Sequence, residues 1–558
     1  MADLRRELPP RELPPWAGPV AGALVEALPR LYGTGADPRL AELISALTLA
    51  LAAGETDLDL AAPPPAGVEA AGWPGEHLRA LAGSPLARDP DGPLVLHDGR
   101  LCWRRWHEGR EQVLEALRRR AAASPAADPE LDPVEARRMA AAVTNEKGLD
   151  LHQAGAVRAA LERPLVLLEG GPGTGKTSTV AAMLAALEQQ RPGIRLHLAA
   201  PTGKAAARLQ AATGGRYPSS TLHRLLESRG DRFGRDRHHP LALDALVVDE
   251  VSMVDLALMG ALLEALPAAC RLVLVGDPAQ LPPVAPGALL LELQRPDLRQ
   301  ALGEGVVTLT RVYRNAGAIA EAAEALRRAL TASAGLPAAE GPETDPLAGL
   351  RPLLESLPAD ANLQWRQASP LAVPEIVQRR MRRHLDALAS LAAACDPATG
   401  AGAEALLAER ERLLVLSPVR QGRWGLEALH RSVLGEAATA PALAWPRGLP
   451  VLCTRNLGEL GLANGDVGVL VGDSADPQGR RLVFASPGGA PIWVHPAQLA
   501  GAAQPALALT VHKAQGSEAE EVVVLLPQRE GGDRRLLYTA LTRARERALL
   551  LTPPLRDG

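Results

Sequence analysis

The chain has 558 residues, a net charge of −4 and an apolar content of 47%. That length divides into three or four ordinary domains, and the apolar share is ample for packed cores. Near-neutral charge excludes a generally basic nucleic-acid coat but not a local basic channel, because net charge hides distribution. Aromatic residues make up only 3%, so the cores are built mainly from Leu, Ala and Val. Cys102, Cys270, Cys395 and Cys453 are far apart, without metal-ligand spacing, and read as reduced packing thiols. Only four lysines occur, Lys147, Lys176, Lys204 and Lys513, against 56 arginines. A lysine that persists under such pressure toward arginine marks a place where a compact ammonium cannot be exchanged for a planar fork. Three of the four lie in phosphate-type contexts, GGPGTGKTS, APTGKAAARL and TVHKAQGSE, while Lys147 carries no motif.

The N-terminus, MADLRRELPPRELPPW, lacks the charged-then-apolar pattern of a signal peptide. The apolar run around Leu43 to Ala53 is too short to span a bilayer and reads as a core helix, so a cytoplasmic protein without a membrane partner is expected. Residues 1–125 are Ala/Leu/Pro-rich and predict a helical domain with breaks near 61–67 and 87–93. Its last element runs from Trp103 to Arg120, and SPAADPELDP (124–133) reads as a linker. From about 135 short apolar runs alternate with helical stretches, the pattern of a parallel α/β sheet. The predicted strands are Leu165–Leu168, Arg195–Ala200, Leu246–Val248 and Leu272–Val275. A second set falls at Leu413–Ser417, Ala506–Leu509, Glu521–Leu525 and Ala548–Leu551, which predicts two sheets facing one cleft. The divisions expected are 135–305 and 306–558, with 331–410 mainly helical. Between 445 and 500, the runs LPVLCT, VGVLVG, RRLVFA and PIWVHP alternate with Gly-rich turns and predict a small β-barrel-like insertion.

Gly170–Gly171–Pro172–Gly173–Thr174–Gly175–Lys176–Thr177 fits GxxxxGK[ST], follows an apolar strand and opens a helix. In that context backbone N–H groups cradle phosphates, Lys176 reaches the β/γ oxygens and Thr177 ligands Mg²⁺, so ATP and Mg²⁺ are the expected cofactors. Asp249 and Glu250 end the run Val247–Val248, where Asp249 suits the metal shell and Glu250 the attacking water. Gln280, in GDPAQLPPV, is placed to sense the γ-phosphate or the water. Arg314 in TRVYRNAG and Arg543 in YTALTRARER are candidates to neutralise transition-state charge, a contribution worth ~10³–10⁵ in rate.

The ordered set DLHQAGAV, GGPGTGKTS, APTGKAAARL, STLHRLL, VVDEVSMVD, GDPAQLPPV, LTRVYRN, ALTVHKAQGSE and LLYTALTRARER resembles superfamily 1 DNA helicases. More narrowly, over about 135–555, it resembles the RecD family, the α subunits of exodeoxyribonuclease V (RecBCD). The resemblance implies tandem RecA-like P-loop motor domains, 5′-to-3′ travel on single-stranded DNA, action on duplex ends in repair by homologous recombination, and a heterotrimer with RecB-like and RecC-like subunits. It also implies that Gln153 reads adenine and that Glu518 lies near the ribose. Pro201, Thr202 and Lys204 match one DNA-contact motif, and Thr510, His512 and Lys513 match the other. Physics agrees, because lysines and hydroxyls at strand ends of both domains can hold successive phosphates of one strand.

Some residues keep two readings. His223 either contacts DNA or the GDPAQ loop, or is the structural His of a capped helix. Trp424, in VRQGRWG, either stacks on bases or packs. The short charged segment between His223 and Asp249 leaves room for only a small strand-separating hairpin. No acidic cluster with lysine resembles a nuclease site, so nuclease activity is expected in a partner. The rival readings are a standalone helicase of the same type, an assembly subunit whose ATPase is dispensable, and a metabolic P-loop kinase, which needs neither the second sheet nor the Thr510–Glu518 motif.

Overall fold

The computed structural model describes residues 14–65, 67–123, 133–230, 232–313, 317–332, 345, 347–473, 475–486, 490–527 and 533–554. The expected linker (124–133) lies almost wholly outside them, and Arg314 lies outside them too.

The N-terminal region opens with α1 (Ala17–Leu31) and α2 (Pro38–Ala52). Asp37 caps α2 by accepting from the Arg39 and Leu40 N–H groups, and Pro38 sits at the first helical position, where its missing N–H costs nothing. The region is not wholly helical. β1 (Asp57–Asp59), β2 (Leu94–His97) and β3 (Arg100–Trp103) form an antiparallel sheet in the order β1-β3-β2. Its signal was Asp98–Gly99, both at positive φ, a tight hairpin turn between two short apolar runs. Helix α3 (Arg104–Ala122) then leaves this sheet and docks on the next domain. Val113 and Leu117 enter that domain's core, and the buried Arg120 donates to the Pro267 and Cys270 carbonyls.

The first α/β unit has α4 (Leu151–Glu162), β4 (Leu165–Gly170), α5 (Lys176–Gln190), β5 (Leu196–Ala200), α6 (Gly203–Ala212) and β6 (Ser219–Thr221). A hairpin of β7 (Ser228–Arg229) and β8 (Arg232–Phe233) follows. β9 (Ala245–Val248), α7 (Leu256–Ala265), β10 (Arg271–Gly276) and β11 (Val306–Leu309) complete the unit. Six strands form one parallel sheet in the order β11-β4-β10-β9-β5-β6. β4, β9 and β10 are nearly all Leu and Val, the composition of strands covered on both faces. Because β11 pairs with β4, the chain leaves this sheet after Leu309, slightly beyond the break expected at 305.

The second unit has α8 (Ala318–Ala332), β12 (Leu363–Gln367), α9 (Glu375–Ala393) and β13 (Leu413–Ser417). The insertion contributes β14 (Pro450–Cys453), β15 (Val467–Val471), β16 (Arg481–Phe484), β17 (Ile492–Val494) and β18 (Ala503–Pro505). The unit closes with β19 (Leu509–Thr510), β20 (Ala519–Leu525), α10 (Arg534–Leu541) and β21 (Ala544–Thr552). The parallel sheet runs β12-β21-β20-β13-β19. β12 falls in the stretch expected to be mainly helical, where Leu363 and Trp365 alternate with polar residues against β21. The strand expected at Ala506–Leu509 shrinks to β19, because the Ala506 N–H still donates to the Pro450 carbonyl of β14 and only Leu509 and Thr510 pair with β13. The insertion is an antiparallel sheet, β17-β16-β15-β14-β18, whose hydrogen bonding is open between its outer strands. Trp424 does not stack on a ligand: it is 1% exposed, packs in the core with Val377 and Met381, and donates its indole N–H to the Ala372 carbonyl at 2.9 Å.

Candidate functional site

The C-terminal ends of β4, β5, β9 and β10 share one edge of the first sheet, and the second unit closes over it. β4 leads into the glycine loop, where Gly175 (φ +82°) starts α5 with no side-chain cap. The first N–H groups of α5 therefore keep no intrahelical partner, which suits an anion. Lys176 Nζ donates to the Gly170 and Gly171 carbonyls at 2.6 and 3.0 Å, so the ammonium stands in the mouth of the loop. Thr174 Oγ donates to the Gly171 carbonyl at 2.8 Å and braces the loop, whereas Thr177 is exposed at the helix start.

Gln153 is buried in a capping box with Asp150. Its Oε1 accepts from the Asp150 N–H at 3.1 Å, and its Nε2 donates to the Thr174 carbonyl at 3.4 Å. It thus supports the glycine loop from below as well as capping α4. Tyr313, which the sequence reading left without a role, donates to Asp150 at 2.6 Å and is half exposed beside the loop. Pro172 and Gly173 lie between these groups, and the Tyr313 N–H donates to the Gly173 carbonyl at 2.8 Å.

Asp249 and Glu250 follow β9. Glu250 takes a left-handed backbone (φ +52°), and its N–H donates to Asp249 Oδ1 at 2.8 Å. Burial, then the Glu250 carboxylate, pushes the Asp249 carboxyl above its ordinary range, while Lys176 and Arg208 pull it back. A carboxylate pair held in that condition fits a divalent cation, whose charge removes the penalty. Beyond β10, Gln280 is buried, with Nε2 toward Asp277 at 3.4 Å and, among the described residues, no hydrogen-bond donor to Oε1.

The segment after β10 crosses to the second unit. Ala279 and Leu281 are buried in that unit's core. Tyr538 donates to Asp277 at 2.7 Å, the Leu281 N–H donates to Thr539 Oγ at 2.9 Å, and Gln515 Nε2 donates to the Leu281 carbonyl at 2.9 Å. Arg327 of α8 lines the cleft wall with Gly171, Pro172 and Tyr538. Arg543 is buried inside its own domain, where it donates to the Thr539 carbonyl at 3.0 Å and the Ser517 carbonyl at 3.4 Å.

The two lysine motifs meet at the other end of the cleft. Pro201 and Thr202 end β5, and Thr202 caps α6 by accepting from the Ala205 N–H. Lys204 donates to Ser517 Oγ across the domains at 3.2 Å. Burial, with Arg410 adding, brings its ammonium down to about 7 against the opposing pull of Asp466 and Glu411. Thr510 accepts from the Lys513 N–H at 3.3 Å, His512 is half-buried between them in sequence, and Lys513 Nζ donates to Asn464 at 2.7 Å. The turn 463–466 of the insertion thus stands beside both lysines, a neighbourhood no local sequence pattern announces. Glu518 pairs with Arg208 across the cleft. His223 is exposed on the one-turn helix Leu222–Leu225, which Thr221 caps by accepting from the Arg224 N–H as the second reading expected, and its ring lies 6.3 Å from that of Phe233. Lys147 is exposed at the C-terminal end of the helix Pro133–Lys147.

A phosphate loop and an acidic pair at the ends of the two strands that flank β10, with a second parallel sheet tied to them through the segment after β10, define a two-domain P-loop motor. The comparisons agree: residues 153–286 match the AAA domain model and residues 505–551 the UvrD-like helicase C-terminal domain model. RecBCD enzyme subunit RecD of Mycolicibacterium smegmatis is 36% identical over 510 residues, covering 85% of this chain and 82% of that protein. Its namesake in Mycobacterium tuberculosis is 34% identical over 550 residues, covering 92% and 87%. The ATP-dependent RecD2 DNA helicase of Deinococcus radiodurans is 34% identical over 414 residues, covering 72% of this chain and 48% of that protein. The chain belongs to the RecD family of RecBCD enzyme subunits and is an ATP-dependent DNA helicase. Among the described residues no helix is long and apolar enough to cross a membrane.

Proposed function

We propose that this subunit hydrolyses ATP with Mg²⁺ to travel 5′-to-3′ on single-stranded DNA, within a cytoplasmic heterotrimer with RecB-like and RecC-like subunits that acts in double-strand break repair. The observation that carries the motor reading is the seating of Ala279 and Leu281. A segment that begins beside the glycine loop ends in the core of the domain bearing Thr510 and Lys513, so a change at the nucleotide is transmitted mechanically to that domain. Residues 170–177 bind the phosphates, with Lys176 at the β/γ oxygens. Thr177 and Asp249 hold the metal, which when bound neutralises phosphate charge. Glu250 orients the attacking water, and Gln280, with its unpaired buried Oε1, senses that water or the γ-phosphate. Gln153 fixes the loop next to the base, and Arg314 and Arg543 are the cations assigned from the second domain. Because Arg543 is folded inward, its part in phosphate neutralisation requires a rearrangement on closure.

Pro201, Thr202 and Lys204 hold one stretch of the strand, Thr510, His512 and Lys513 the next, and His223 stands with the β7–β8 hairpin at the fork. The RecBCD-subunit reading is favoured over a standalone helicase because those relatives align over more of this chain, 85 and 92% against 72%. Purifying the chain from its own cells tests this directly. Two large co-purifying subunits and ATP turnover stimulated by single-stranded DNA are the expected result, whereas a lone chain with equal turnover in the absence of DNA sinks the proposal.

A further inference from the structure

Helix α6 carries more than the motif lysine. Lys204 and Arg208 are four residues apart and so share one helix face. That face meets the loop 516–518 of the second domain: Lys204 reaches Ser517 Oγ at 3.2 Å, Arg208 Nη1 donates to the Gly516 carbonyl at 3.1 Å, and Arg208 Nη2 pairs with Glu518. Gly516 (φ +73°) lets the loop come this close, since a Cβ there would lie 3.2 Å from Thr202 Oγ. From behind, Arg543 donates to the Ser517 carbonyl. The loop is therefore clasped by one arginine from each domain.

The acidic pair also acts electrostatically on Arg208. Burial works against its charge, but Glu518, Glu250 and Asp249 together outweigh it, so the guanidinium lies above its ordinary value. A planar fork can serve a carbonyl and a carboxylate together while keeping a full charge toward a third group, which an ammonium does poorly. Loop 516–518 follows directly on Thr510–Lys513, so movement of the strand-holding residues reaches Arg208 within a few bonds.

We propose that Arg208 is a positioning residue that couples occupancy of the DNA track to hydrolysis at the Asp249–Glu250 pair, by holding loop 516–518 of the second domain against α6. It rests on the helicase reading above. The test is ATP turnover by the full chain, with and without single-stranded oligonucleotide, for wild type, Arg208→Ala, Arg208→Gln and Arg208→Lys. The ratio of stimulated to unstimulated kcat should fall about tenfold in the Ala and Gln variants, with partial recovery in Lys. Unstimulated turnover, the KM for ATP and the Kd for the oligonucleotide should stay within about twofold. A wild-type ratio in the Ala or Gln variant overturns the inference. So does an equal fall of both rates, which marks a merely structural arginine. If the wild-type chain itself shows no stimulation by DNA, the helicase reading fails first and this one with it.

Discussion

The glycine loop at 170–177 and the loop at 514–518 both sit at the cleft edge of a parallel sheet, and both contain a glycine at positive φ. They are held in opposite ways. The first is braced from its own domain and the segment that follows its last strand: Lys176 and Thr174 bond loop carbonyls, Gln153 supports it from the preceding helix, and the Tyr313 N–H donates to the Gly173 carbonyl. The second is braced from both domains, by Arg543 behind and by Lys204 and Arg208 some 310 residues away in front. On the proposed function, the loop that grips phosphate keeps its own scaffold, and the loop that reports on the distance between domains borrows half of its scaffold from the other side.

The largest expected break in this comparison is Lys176→Gln. It removes the ammonium from the self-braced loop and should lower ATP turnover at least about a thousandfold, while the melting temperature stays near wild type. Retained turnover in a steady-state assay would remove the phosphate-loop assignment. Next comes a matched pair. Gly175→Ala strains a left-handed position by ~1–2 kcal/mol and places a Cβ 2.5 Å from Gln153 Nε2. It should weaken ATP binding about tenfold, measured with a fluorescent analogue, and leave DNA binding alone. Gly516→Ala should do the reverse, leaving ATP affinity intact while reducing stimulation by DNA about threefold. Equal losses of ATP affinity in the two variants would erase the distinction between the loops.

Lys513→Ala should raise the Kd for single-stranded DNA severalfold and reduce the slope of log K against log salt by about 0.7. An unchanged slope makes this lysine a structural partner of Asn464. The smallest effect serves as a control away from both loops. The hydrogen bond from Arg195, outweighing burial, holds Asp244 down to about 2. Its folded value lies below the unfolded one, so its stabilisation is present above about pH 4 and is lost as pH falls through about 2. Asp244→Asn should lower the Tm by about 2 °C at pH 5 and by nothing near pH 2, without altering turnover.

The same contrast explains what could be read from the residues alone. Gly170 to Thr177, Asp249 and the central strands are local patterns, because each is set by a strand, a turn and a helix contiguous in the chain. Arg208 and Tyr538 are anonymous among similar residues until the fold brings them to Gly516 and Asp277. Trp424 kept two readings in the sequence, because a glycine-rich loop leaves its direction open; the fold decides for packing and turns its indole into the core with Val377. The strands β1–β3 and β12 were missed because a few residues between helices carry little periodicity, although the Asp98–Gly99 turn did mark one hairpin.

The seating of Leu281 bears on synthesis as well as on motion. Its N–H waits for Thr539, 258 residues later in the chain. At ribosomal rates of ~5–20 residues per second, the first domain is presented with an apolar tail uncovered for about 15–50 s. The segment after β10 is therefore seated only when the last helix arrives, which leaves an interval in which chaperone capture competes with closure. A truncation before α10 would hold the chain in that sticky condition permanently.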